Sequence, residues 1–219
     1  MEGARDTVIP TLNLIRSTQG EEAQMTLTRG WMAAGIATGL LVLVLSACGG
    51  GDSSSDSGTS PSGAAFDRAF IDAMVPHHES AIEMATAAKE AGLSQPDLVK
   101  VADDILATQQ LEINQMKDWR GEWFGSSTID PNGATALGLS ESQMGMQHDA
   151  DALMNSGDVN TDFAQMMITH HQGAIDMAKL AADNAEHEEL KDLAEEIISA
   201  QEREIKVMSP HASGAMDHG

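Results

Sequence analysis

The stretch Phe70-Ile-Asp-Ala-Met74-Val-Pro-His77-His78-Glu-Ser-Ala81-Ile82-Glu-Met84-Ala85 occurs again as Phe163-Ala-Gln-Met166-Met167-Ile-Thr-His170-His171-Gln-Gly-Ala174-Ile175-Asp-Met177-Ala178. The Phe, the second Met, both His, the Ala-Ile and the Met-Ala recur at a constant offset of 93 residues. Further on, Ala102-Asp-Asp-Ile105 returns as Ala194-Glu-Glu-Ile197, and Gln109-x-x-Glu112-Ile113-x-x-Met116 as Gln201-x-x-Glu204-Ile205-x-x-Met208, now at an offset of 92. A match of this length with a single deletion is an internal duplication.

Each copy reads as two helices. At helical periodicity Phe70, Met74, His77, Ala81, Met84, Ala85 and Ala88 share one face, Glu79 and Glu83 point away, and His78 sits on the flank with Ile71 and Ile82. The second helix gathers Leu98, Val101, Ala102, Ile105, Gln109, Ile113 and Met116, with Asp103 and Asp104 outside. Gly92 and Pro96 punctuate the turn between them, and the segment 183–189 serves as the turn of copy two.

A hairpin of two such helices fixes which residues lie level. His77 and His78 stand 17 and 16 residues before Ser94, and Gln109 and Glu112 stand 15 and 18 after it. The same relation sets His170 and His171 level with Gln201 and Glu204. Each hairpin thus carries two imidazoles, an amide and a carboxylate across an otherwise apolar face. Burying such groups costs free energy unless they are paired or bind something. Adjacent histidines on a helix point about 100° apart, so the two of a pair do not chelate one ion together. One of each pair is left to bond Glu112 or Glu204, or to reach a shared site between the hairpins.

The fold expected is all-α: a four-helix bundle of two similar hairpins, residues 64–124 and 159–210, joined by a long crossover over 125–158. Within the crossover Ser140 and Gln143 form a capping box for a short helix. A flexible tail, 211–219, closes the chain, with His211, Met216 and His218 as loose metal donors or an ordinary terminus.

Ahead of the repeat, Met25 to Trp31 carries Arg29 and precedes the apolar run Met32–Leu45, too short for a comfortable membrane span. Leu45-Ser46-Ala47-Cys48-Gly49 is similar to a bacterial lipobox, in which the cysteine is acylated and becomes the mature N-terminus. Residues 1–47 are accordingly a signal region, with Met25 an alternative start because Glu21 and Glu22 suit no signal. A lipid on Cys48 would hold the chain on the membrane, and the Gly- and Ser-rich stretch 48–63 would tether the folded part to it. Export to the outer face of the cell membrane, or to a periplasm, follows.

Of 34 acidic and 12 basic residues, four and three precede Cys48, leaving 30 against nine in the remainder. That balance disfavours nucleic acid as a partner and favours solubility or the attraction of cations. Cys48 is the only cysteine, so no intrachain disulfide forms and packing must stabilise the fold.

The pattern Met-x-x-His-His-x-x-Ala-Ile-x-Met-Ala, complete in Met74–Ala85 and in Met167–Ala178, resembles the mark of the bacterial domain-of-unknown-function 305 family, placed in the ferritin-like superfamily. The resemblance runs from about Phe66 to Met208, and Val159-Asn160 stands where copy one has Phe66-Asp67. It implies a secreted protein with two helices per copy, and some similar periplasmic proteins bind copper or silver and support metal resistance.

The residues point the same way. Thioether and imidazole together suit Cu(I) or Ag(I), and all eight His and 11 of the 14 Met follow Cys48. Met-x-x-x-His pairs occur at Met74/His78, Met144/His148, Met166/His170 and Met167/His171, a spacing that faces one side of a helix. The expected ligands are His77, His78, His170, His171, Met74, Met144, Met166, Met167 and His148, supported by Gln109, Glu112, Gln201 and Glu204. Met84, Met116, Met177 and Met208 read as packing, and His187 as a solvated turn residue. Two other readings stand beside copper or silver binding. A di-iron oxidoreductase is weakened because neither His pair has Glu three residues before it. An envelope interaction module would use the His–Glu layers only to set register. No nucleophilic constellation is visible, so an enzyme is not the expectation.

Overall fold

The computed structural model describes residues 61–213. The signal-like segment, Cys48, most of the tether, Met216 and His218 lie outside the described residues. Every regular element within them is helical: α1 Ala64–Glu90, α2 Pro96–Phe124, α3 Gly133–Ala136, α4 Asp151–Met154, α5 Val159–Asn184 and α6 Glu188–Met208. α1 with α2 and α5 with α6 are the two hairpins, and α1 packs on α5 between them. α2 and α6 meet more sparsely. Among the described residues no helix is long and apolar enough to cross a membrane.

The turns follow the expected punctuation. Gly92 takes φ 97° after α1, a region that favours glycine, and Pro96 opens α2 where its missing N–H costs nothing. Asp158 caps α5 by accepting the Thr161 N–H at 3.2 Å. The crossover differs from expectation. Ser140 and Gln143 do make the reciprocal capping bonds, Ser140 N–H to Gln143 Oε1 at 3.0 Å and Gln143 N–H to Ser140 Oγ at 3.4 Å. The segment they cap nevertheless stays a series of turns, and the short helices form at 133–136 and 151–154.

The two ends of the bundle are pinned by one device used twice. Asp67, fully buried at the start of α1, accepts the N–H groups of Glu186 and His187 at 2.9 and 3.0 Å. Asn160, at the start of α5, accepts those of Ser94 and Gln95 at 3.0 and 3.1 Å. Each first helix thereby fastens the turn of the opposite hairpin. The departure of Asn160 from the Phe66-Asp67 opening preserves the acceptor oxygen, which is what the device needs. His187 is correspondingly no free turn residue: its Nδ1–H donates to Asp67 at 2.6 Å and its ring stacks on Trp123 at 3.7 Å. His211, expected in a loose tail, is buried and bonds Asp97 at 2.7 Å.

The apolar core falls into two bodies. One joins Phe66 to Val75 of α1 with Ala174 to Ala181 of α5 and Leu190 to Ile197 of α6; the other joins Ala81 to Ala88 with Leu98 to Ile105, Phe163 and Met167. α1 and α5 are therefore antiparallel, and the histidine level lies where the two bodies meet.

Candidate metal centre

His77, His78, His170, His171, Gln109 and Gln201 are each no more than 3% exposed. The repeat brings them into one layer with near two-fold symmetry. His78 Nε2 lies 2.8 Å from Glu112 Oε2, and His171 Nε2 lies 2.7 Å from Glu204 Oε2. The rings within each pair stand 6.4 Å apart at 56° in both copies. Across the bundle, the His77 and His170 rings meet at 3.8 Å between centroids. Both roles left open by the 100° divergence are thus filled: one histidine of each pair takes the glutamate, and the other meets its counterpart from the opposite hairpin. His78 is more deeply buried than its place on the helix flank suggested, because α2 closes over it.

The partners fix the protons. A carboxylate accepts, so the nitrogen facing Glu112 or Glu204 carries the hydrogen, and the neutral ring then has Nδ1 of His78 and of His171 as a lone pair. His77 Nε2 donates to the backbone oxygen of Met144 at 2.8 Å, which likewise leaves its Nδ1 as a lone pair. These Nδ1 atoms are buried without a hydrogen-bond partner, as are both ring nitrogens of His170, Nε2 of His148, and Oε1 of Gln109 and of Gln201. Native structures leave few such atoms. Here they all belong to this layer and to the strap beside it. Burial, with the neighbouring His78, lowers the His77 pKa to about 3, and burial with His77 and His171 holds His170 well below the usual range. His77 and His170 are held neutral, the form in which imidazole binds metals.

Met74 and Met167 are fully buried one turn before His78 and His171, and Met166, half-buried, precedes His170 by one turn. Met144 and His148 do not share a helix face, because their segment is turns rather than helix. The Met144 contact to the layer is its carbonyl, and His148 lies close enough that its charge would disfavour protonation of His170. Among the described residues no group of three or more His, Cys, Asp or Glu is arranged to hold a metal. The layer's two carboxylates are turned to histidine hydrogens, and the donors that remain are imidazole nitrogen, amide oxygen and nearby thioether.

Met144 and His148 place the crossover strap at the site as expected side-chain ligands; its backbone contact with the layer was not legible. A Cβ on Gly173 would lie 2.0 Å from the Met144 oxygen, and one on Gly145 would lie 2.3 Å from the Thr169 oxygen. Two glycines, one on each side of the contact, thus let the strap lie directly on α5. The repeat held a signal for this: Gly173 stands where copy one has Ser80. Farther along, Gly133 presses on the backbone of Asp72 and Ala73 in the same manner. Asp72 is also half of a buried pair, its two oxygens accepting from Arg120 Nε and Nη2 at 3.0 and 3.2 Å.

Comparison with known proteins agrees with this architecture. CopM in its Cu(I)-bound form is 33% identical, with a TM-score of 0.58 over 69% of this chain and 98% of its own. The silver-bound form of CopM obtained by co-crystallization gives 32%, 0.58, 69% and 98%. A putative secreted protein DUF305 from Streptomyces coelicolor gives 25% and a TM-score of 0.61 over 68% of this chain and 93% of its own. No curated protein matches the chain by sequence. Residues 67–211 match the family described as Domain of unknown function (DUF305), and the chain belongs to that family.

Proposed function

We propose that this protein binds copper(I) or silver(I) in the histidine layer, with Nδ1 of His78 and of His171 as the central donors. The observation that carries the reading is the pair of buried, unpartnered Nδ1 lone pairs whose opposite nitrogens are held by Glu112 and Glu204. A carboxylate behind a histidine orients the ring and raises its basicity toward a metal. His77, His170, His148 and the thioethers of Met74, Met144, Met166 and Met167 complete the candidate set, and such a set selects soft ions. The copper- and silver-bound forms of CopM support the choice of ion.

A purely structural layer is the competing reading, and the same atoms count against it. A hydrogen-bond network that only set register would satisfy its members, since each buried unsatisfied polar group costs about 1–3 kcal/mol. The di-iron reading needs carboxylate ligands, and Glu112 and Glu204 are engaged with histidine.

The test is titration of the metal-free full chain with Ag(I), Cu(I), Fe(II) and Zn(II). Tight stoichiometric binding of the soft ions, lost when His77, His78, His170 and His171 become Ala, is expected. Binding that survives the four substitutions overturns the proposal, and tight Fe(II) binding with oxygen consumption transfers it to the di-iron class. The site is further inferred to work outside the cytoplasm on a lipid anchor, supported by the lipobox-like sequence at Cys48. Cys48→Ala is expected to release the protein from the membrane fraction; retention would refute the anchor.

A further inference from the structure

The histidine layer has two long sides, and they are closed to different degrees. On the α1–α5 side His77 stacks on His170, and the Met144–Gly145 strap lies against α5 with no room for even a methyl group at Gly173. On the α2–α6 side the helices meet only sparsely, and three adjoining hollows run along the gap. Glu112 lines the first two and Glu204 the third. Their side chains are 19% and 15% exposed, while the His78 and His171 side chains they hold are fully buried. Each glutamate therefore has one end in the groove and one on a histidine whose remaining nitrogen has no partner.

The groove is acidic beyond those two residues. Asp192, Glu195 and Glu196 stand exposed along its α6 wall, and Asp104 along α2. Against them stand Lys100, paired with Asp104, and Arg203, bonded to Ser199. A cleft lined by one sign of charge concentrates counter-ions and raises their association rate.

We propose that the α2–α6 groove is the route by which the metal cation reaches and leaves the histidine layer, with Glu112 and Glu204 standing at its inner end. This rests on the layer being the ion's site. The groove acids attract the cation over a distance, so their field favours the approaching and the bound ion alike and sets the rate of arrival, while release is left unchanged.

The experiment is stopped-flow association of Ag(I) with the full chain, and its release to a competing chelator, at low and high salt. The groove variant is Asp192→Asn/Glu195→Gln/Glu196→Gln. The control is Glu83→Gln/Glu90→Gln/Asp183→Asn, which removes the same charge from exposed positions on α1 and α5. The groove variant is expected to associate about 3- to 10-fold more slowly at low salt, with the difference lost at high salt and release unchanged. The control is expected to change association less than two-fold. Leu111→Lys, which adds a cation at a 68% exposed groove position without removing any acid, should slow association in the same way. Equal effects of groove and control variants, or none from the groove set and Leu111→Lys, overturn the route while leaving the site intact. Failure of the unaltered chain to bind Ag(I) overturns the site itself, and the route with it.

Discussion

Gly173→Ala would test how the strap is held. In an exposed helix interior this change is favourable by about 0.5–1 kcal/mol, because alanine loses less backbone freedom. Here the new methyl would lie 2.0 Å from the Met144 oxygen and 2.2 Å from its carbon, both backbone atoms that no rotamer change removes. Ordinary van der Waals contact requires well over 1 Å of retreat. A retreat of that size breaks the 2.8 Å bond from His77 Nε2 and leaves a further buried N–H unpaired, at about 1–3 kcal/mol. Residual overpacking adds about 1–3 kcal/mol. The net expectation is a loss of about 2–4 kcal/mol, read as a lower urea midpoint at unchanged slope in the metal-free full chain. Gly157→Ala, with nothing near its Cβ position, is the control and should stay within about 0.5 kcal/mol. A Gly173→Ala midpoint equal to or above that of the unaltered chain would show that the strap does not rest on α5 in this way.

Acid should destabilise the metal-free protein in a predictable window. The folded-state pKa of His77 is about 3 against 6.5 unfolded, so the unfolded chain takes up a proton that the folded chain refuses, and stability is lost as pH falls below 6.5 toward 3. At pH 5 His77 alone accounts for about 2 kcal/mol, with His170 acting in the same direction; urea midpoints that do not fall between pH 7 and 5 would contradict neutral burial. Arg120→Leu should cost about 3–5 kcal/mol by leaving buried Asp72 with only the Asp130 N–H and the more distant Arg68, and adding Asp72→Leu should restore part of it; a double variant no more stable than the single one would speak against the pair. Asn160→Asp should keep the acceptor for Ser94 and Gln95 and stay nearly neutral, while Asn160→Ala should lose about 1–2 kcal/mol. Thermal unfolding of the two side by side distinguishes them.

What was legible in the chain was whatever the repeat and the helical period impose. The buried positions of α2 from Leu98 through Met116 match the face read from spacing, and hairpin register alone set His78 level with Glu112 and His171 with Glu204. Contacts made by backbone rather than side chains left no comparable trace. The Met144 carbonyl on His77 depends on a turn-rich strap whose path no periodicity sets, and Gly173 signals it only through its difference from Ser80. Asp72 and Arg120 are 48 residues apart in different helices. The place of His211 is not legible either, because a short polar terminus looks the same whether or not it finds a partner such as Asp97.

The central claim is that Nδ1 of His78 and of His171 are lone pairs awaiting a soft ion. Long-range proton–nitrogen correlation NMR on the metal-free full chain, before and after one equivalent of Ag(I), addresses those atoms directly. Both rings are expected to carry hydrogen on Nε2 throughout, and silver is expected to shift the Nδ1 resonances while Nε2 stays bonded to Glu112 and Glu204. Hydrogen found on Nδ1 of the metal-free protein, or silver leaving both Nδ1 resonances in place, would contradict that claim.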